Sequence, residues 1–176
     1  MSTIISLIPL DAAYHTAALQ GIYAATPSYW GLYHQPGSPS DQAAKDLAAA
    51  GATPGRFLLG IVKRIDTANP AAGAELIGVV DFRLQWPAAD TAYVGMLMVA
   101  EPYQRLGIGT QAWSLLKPWL ASTAHITKAR IGVEQFNIAG LKFWQHQGFS
   151  VTGESDRMMV SDRFVRLLYL EQELVV

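Results

Sequence analysis

The chain has 176 residues, thirteen basic against fourteen acidic for a formal charge of −1, and no cysteine; one domain of this length buries roughly 70% of the surface its unfolded chain exposes and needs no covalent staple. The charge balance removes the basic footprint of a nucleic-acid partner, and the missing thiols exclude disulfides, thiolate metal ligands and a cysteine-borne acyl intermediate. The longest apolar run, residues 93–100, is far below the ~20 residues of a membrane helix. The first residues show no basic stretch followed by an apolar one, and the four histidines have no metal-binding spacing, so a cytoplasmic protein without membrane or metal is expected.

Residues 3–10 read as a strand, and Asp11 caps a helix that runs to about Ala25. Residues 27–37 are an aromatic loop carrying Tyr29, Trp30, Tyr33 and His34. Ser38-Pro39-Ser40-Asp41 then opens a helix with proline in its first position, and an Ala-rich stretch continues it to about Ala50. Residues 56–62 and 75–84 form a hairpin around a turn-rich connection over 66–73. Residues 93–99 are a third strand, apolar enough to be covered on both faces. In the next helix Trp113, Leu116 and Leu120 make one apolar stripe, and Pro118 is expected to bend or end it early. A strand over 127–133, a helix over 137–147 capped by Asn137 and stopped by Gly148, and strands from Phe149 and over 163–171 complete the chain. No repeat or linker divides it, so the order β-α-α-β-β-β-α-β-α-β-β describes a single α/β domain over residues 1–176.

Gly107 and Gly109 stand where the third strand hands over to a helix. The first amides of a helix lack intrahelical partners and sit at the positive end of its dipole, so a pyrophosphate can be held there without lysine. Thr110 offers a hydroxyl, and Gln104 or Arg105 a side-chain donor. By itself a Gly-x-Gly pair is better explained by close packing at a helix start. A P-loop is excluded, since no Lys-Ser or Lys-Thr follows. A dinucleotide fingerprint is the rival: Gly107-x-Gly109-x-x-Ala112, with Glu134 as ribose acid. Against it, seven residues (100–106) separate the strand from the first glycine, and an antiparallel hairpin comes before.

Gln104-Arg105-Leu106-Gly107-Ile108-Gly109, preceded by Leu97-Met98-Val99, resembles the acetyl-CoA signature of the Gcn5-related N-acetyltransferase family; Asn137-Ile138-Ala139-Gly140-Leu141-Lys142-Phe143-Trp144 through Gly148-Phe149 resembles its second conserved segment. The resemblance covers nearly the whole chain. It implies a mixed, mostly antiparallel sheet with helices on both faces and central strands splayed into a cleft. It also implies direct transfer of an acetyl group from acetyl-CoA to an amine of a small molecule or peptide. The backbone of Leu97, Met98 and Val99 would pair with pantetheine, and the amides from Arg105 through Leu106, Gly107, Ile108 and Gly109 to Thr110 would hold the pyrophosphate. Asn137 and Gly140 would lie beside the pantetheine arm, with Phe143 and Trp144 walling its thiol end. Asn137 is equally accounted for as a cap alone. Dimers are common in the family, so a homodimer is one expected state.

The resemblance also marks departures. Family members carry a glutamate where this chain has Tyr93 or Gly132, and a tyrosine acid where it has Trp144. Substitutes follow from strand geometry: Glu134 shares a face with Gly132 and can act as base. Asp81, with a salt bridge to Arg83 as its alternative role, and Tyr93 are the other candidates, while His146 falls on a surface turn. The resemblance implies that Tyr29, Trp30 and Tyr33, with the final hairpin around Asp156 and Met159, lie at the acceptor site, packing of the aromatic loop against the body being the alternative role. A catalytically idle acyl-CoA-binding module and a dinucleotide enzyme stand as competing readings.

Overall fold

The computed structural model describes residues 4–64, 73–122, 126–160 and 162–174; Thr3 and all of the predicted 66–73 connection except Gly73 lie outside them. Strand β1 (Ile5–Pro9) leads into α1 (Ala12–Ala24), where the carboxylate of Asp11 accepts a hydrogen bond from the Ala13 amide. The predicted aromatic loop is in part a helix, α2 (Pro27–Leu32). Pro27 opens it, because the fixed φ of proline suits a first turn whose N–H has no partner anyway. Helix α3 (Gln42–Ala52) starts later than expected, with Asp41 at its cap and Pro39 ahead of the first turn.

Strands β2 (Arg56–Arg64), β3 (Ala74–Leu84) and β4 (Thr91–Val99) follow, then a 3-10 turn at Glu101–Tyr103 and helix α4 (Ile108–Ser122). Pro118 does not end α4. Pro118 and Ser114, whose carbonyl loses its donor, are both exposed, so that carbonyl is open to solvent, while buried Leu116 and Leu120 anchor the helix on either side. Strand β5 (Lys128–Glu134), α5 (Ile138–His146), β6 (Ser150–Val160) and β7 (Arg163–Glu173) complete the order.

The seven strands form one sheet in the order β1-β2-β3-β4-β5-β7-β6. Every neighbouring pair is antiparallel except β4–β5, so the doubly wound parallel sheet of a dinucleotide enzyme is not what this chain forms. Alternation along β3 and β4 divides the interior. Val80, Val94 and Val99 turn toward α4 with Trp113, Leu116, Ile131 and Trp144, while Val79 and Met98 turn toward α1 and α3 with Leu19, Tyr23 and Leu47. The central strands are thus covered on both faces, which is why the sequence of β4 is apolar without alternation.

Candidate functional site

The site begins with a fault in the sheet. β4 pairs with β5 only from Thr91↔Lys128 to Val94↔Ile131. At that point its register with β3 slips: Phe82 faces Val94 but Asp81 faces Met96, leaving Gly95 as an extra, unpaired residue. Such a bulge bends a strand away from its neighbour. Beyond it β4 stays on β3 as far as Gly78↔Val99, while β5 continues on β7 to Glu134↔Leu167. The two central strands therefore diverge, and the main chain of β4 from Gly95 to Val99 has lost its sheet partner on the β5 side.

The turn after β4 closes the wide end of this cleft. The side-chain amide of Gln104 donates to the Val99 carbonyl at 2.8 Å, so it clasps the strand end. Arg105 (φ 64°) and Gly107 (φ 78°) are both left-handed, a turn geometry that directs successive amides into one concavity. The Gln111 amide is bonded to the Gly107 carbonyl at 3.0 Å, so the amides of Ile108, Gly109 and Thr110 precede the first intrahelical bond. A side chain at Gly109 would come within 3.2 Å of the Phe143 ring, so this glycine serves close packing of α4 on α5, whereas Gly107 meets open space and is required by its backbone angle.

On α5 the Asn137 side chain accepts from the Gly140 amide at 2.9 Å, the predicted cap. A Cβ at Gly140 would lie 2.7 Å from Asn137 Nδ2, which is why that position is glycine. Phe143 faces the start of α4, but Trp144 is buried against Trp113 and Phe149, with ring centres 5.7 and 5.0 Å away.

The opposite wall faces α1–α3. Glu134, at the end of β5, is only 8% exposed and accepts a short hydrogen bond from the Tyr33 hydroxyl. His34 likewise meets Arg163 on β7, so the end of α2 is tied across the cleft to β5 and β7. Tyr29 packs edge-on against Tyr33 at 5.5 Å. Trp30 is buried, donating from Nε1 to the Tyr23 carbonyl at 2.8 Å. Burial, and for Tyr33 the neighbouring Tyr29 and Glu134, push the phenols of Tyr29, Tyr33 and Tyr93 above their ordinary range. A side chain at Gly132 would stand 2.8 Å from the Tyr93 hydroxyl. Tyr93 and Gly132 are therefore one arrangement: the large residue on β4 fits because β5 offers none.

Asp81 is held by Arg56 through two bonds, Nε to Oδ1 at 3.0 Å and Nη2 to Oδ2 at 2.6 Å. The partner expected from sequence, Arg83, lies instead over the Trp86 ring at 5.6 Å. An open cavity of about 520 Å³ runs between this wall and α2–α3, bounded by Tyr29, Asp46, Arg83, Trp86, Tyr93 and Gly95. A larger apolar cavity of about 880 Å³ beside β1 and β2 shares no residue of β4, β5 or α5 with the cleft. Sequence reasoning missed Arg56, Asp46 and Trp86. The one readable signal was Asp81 and Arg83 two apart on a single strand face. Among the described residues no three metal-ligating side chains come together, and no helix is long and apolar enough to cross a membrane.

The chain matches the acetyltransferase (GNAT) family over residues 22–149. An acetyltransferase from Thermus thermophilus superposes with a TM-score of 0.74 at 21% identity, over 99% of this chain and 100% of that one. The Salmonella typhimurium acetyltransferase that modifies the N-terminal serine of ribosomal protein L7/L12 gives 0.78 at 16% identity, over 99% and 97%. Spermidine N-acetyltransferase from Vibrio cholerae, solved with CoA and spermine, gives 0.68 at 15% identity, over 97% and 95%. No curated protein is significantly similar in sequence. With the family match spanning most of the chain and the splayed sheet beneath it, this protein belongs to the GNAT acetyltransferase family.

Proposed function

We propose that this protein moves the acetyl group of acetyl-CoA directly onto a primary amine of a small molecule or peptide. The observation that carries the reading is the parting of β4 from β5 after Val94, beside an amide-rich helix start. Acetyl-CoA suits this cleft: an extended amide-bearing arm can pair with the free strand edge of Leu97, Met98 and Val99, and a diphosphate suits the main chain of Arg105 to Thr110. Gln104 fixes the loop, Asn137 and Gly140 border the arm, Phe143 walls it, and Trp144 supports Phe143 from the core. Two of the similar structures are described as acting on an N-terminal serine and on spermidine, both amines, which supports an amine acceptor here.

When bound, the cofactor supplies an activated thioester. The chain must supply a neutral amine, and Glu134 is assigned as the base that takes a proton from the acceptor ammonium. Tyr33, donating to Glu134, holds the carboxylate in place, and Tyr93 orients the acceptor. As the C–N bond formed and the C–S bond broke, the acylated nitrogen would shed its second proton, and that proton would balance the departing thiolate. Asp81, engaged by Arg56, is assigned to fixing the cavity wall rather than to moving a proton. Tyr29, Tyr33 and, from behind, Trp30 shape the acceptor side.

The test is CoA release from acetyl-CoA across a broad amine panel, with CoA binding measured alongside. Turnover on at least one amine is expected. Tight binding without turnover on any would instead identify an idle acyl-CoA-binding protein, and stronger binding of NAD than of CoA would overturn both.

A further inference from the structure

Four charged residues border the 520 Å³ cavity: Arg56, Asp81, Arg83 and Asp46. Three already have partners. Arg56 and Asp81 neutralise each other, and Asp46 accepts from the Tyr23 hydroxyl at 2.7 Å and the Gln42 amide at 3.0 Å. Arg83 makes no ion pair among the described residues, and its Nε is a buried nitrogen without a hydrogen-bond acceptor. A buried donor left in that condition destabilises the fold, which is why such groups are rare and call for an explanation. The Trp86 ring lies beneath the guanidinium; stacking of this kind covers a face, and since Nε itself is enclosed, it is the terminal Nη edge that is left for an acceptor entering from the cavity.

From these facts, and resting on the acetyltransferase reading above, we infer that the acceptor amine carries an oxyanion, carboxylate or phosphate, which Arg83 binds while the amine sits at the β4 bulge. The spacing suits a small molecule. A Cβ at Gly95 would lie 3.9 Å from Asp81 Cγ, and Arg83 is two residues further along the same face of β3, roughly 7 Å away. Tyr29, Trp86 and Tyr93 flank the space between, with Trp86 and Tyr93 edge-to-face at 4.8 Å, and such rings suit an apolar or aromatic body. An acceptor bearing only further ammonium groups would place like charge against Arg83.

The experiment compares matched acceptors on the full-length protein: phenylalanine with phenylalaninamide and phenethylamine, and phosphoethanolamine with ethanolamine. Both kcat/KM and direct binding to the CoA-loaded and CoA-free protein are measured. A preference of about tenfold or more for the acid member of at least one pair is expected, the worth of one charged hydrogen bond. Arg83→Gln should remove that preference through the KM of the acid members, lowering their kcat/KM about tenfold more than that of their uncharged partners, and Arg83→Lys should recover part of it; thermal melting checks that both variants fold. The first pair against the second distinguishes carboxylate from phosphate. Equal handling of acids and their uncharged partners, or a preference untouched by Arg83→Gln, overturns the inference. Because binding is read separately, an acid preference without acetyl transfer would sink the transferase reading and keep Arg83 as an anion site, and transfer without acid preference would do the reverse.

Discussion

The two faces of the sheet are built on different principles. Under α4 and α5 the interior is apolar and aromatic, with Trp113, Trp144 and Phe149 in mutual contact, and the groups offered to a ligand there are main-chain amides. Under α1–α3 the cavity is lined by side chains that reach it from separate segments: Tyr29 from α2, Asp46 from α3, Arg56 from β2, and Asp81 and Arg83 from β3, while on the same face of the sheet Glu134 of β5 meets Tyr33. On the proposed reading the contrast teaches that a cofactor site can be held by backbone shape, whereas an acceptor site needs a particular set of charges and rings.

The largest effect that would sharpen this division is on chemistry. Glu134→Gln should lower kcat by about a hundredfold or more, the usual worth of a general base, with CoA affinity within about twofold; a parental rate and pH profile would remove Glu134 from the mechanism. On the other face, Gly107→Val should weaken CoA binding by about a hundredfold, the loss of one or two charged hydrogen bonds. A β-branched residue strongly disfavours the φ of 78° that aims those amides. Acceptor-side geometry should survive, and unchanged CoA affinity by calorimetry would break the assignment.

Arg56→Met should destabilise the fold by about 2 kcal/mol by stranding the Asp81 carboxylate, a figure below that for a fully buried pair because Arg56 keeps 24% of its side-chain surface. Asp81→Asn in that background should recover most of the loss. If Asp81→Asn alone abolishes turnover without affecting stability, the carboxylate is catalytic and not a wall support. Alkaline titration probes the buried phenols. Tyr29, Tyr33 and Tyr93 have folded-state pKa values above the unfolded value, so their contribution is complete below about pH 10 and is lost as pH rises beyond it. Denaturant unfolding should show stability falling there, because the unfolded chain releases its phenolic protons first. The smallest effect is expected from Gly21→Ala on α1, where an added methyl meets nothing within 4 Å. It should raise stability by about 0.5–1 kcal/mol through helix propensity and leave CoA binding and turnover unchanged.

Much of the proposed cofactor face was legible because its signals are local. Strand, turn and helix follow one another within residues 93–120, and Asn137 caps the helix it begins. The failures were also local in origin: Pro118 looked like a helix end until its exposed side showed water could replace the lost bond, and Pro27 opened a helix inside what read as a loop. The acceptor face was harder. Glu134 was placed correctly on the face of Gly132 by strand alternation, but its partner Tyr33 lies 101 residues away in sequence, and no periodicity links them. Asp81 looked paired with Arg83, its neighbour on the strand, yet the register of β2 on β3 puts Arg56 opposite Arg83 and within reach of Asp81.

Sequence alone determined the succession of the seven strands, the glycine turn and the apolar stripe of α4, since these depend on residues a few positions apart and on backbone propensities that act in the chain itself. Tertiary structure alone decided where β4 leaves β5, which carboxylate meets which cation, and that Arg83 has no ion pair among the described residues. Those outcomes depend on strand registers fixed only when distant segments pack together, and one residue of slip at Gly95 is enough to open the cleft.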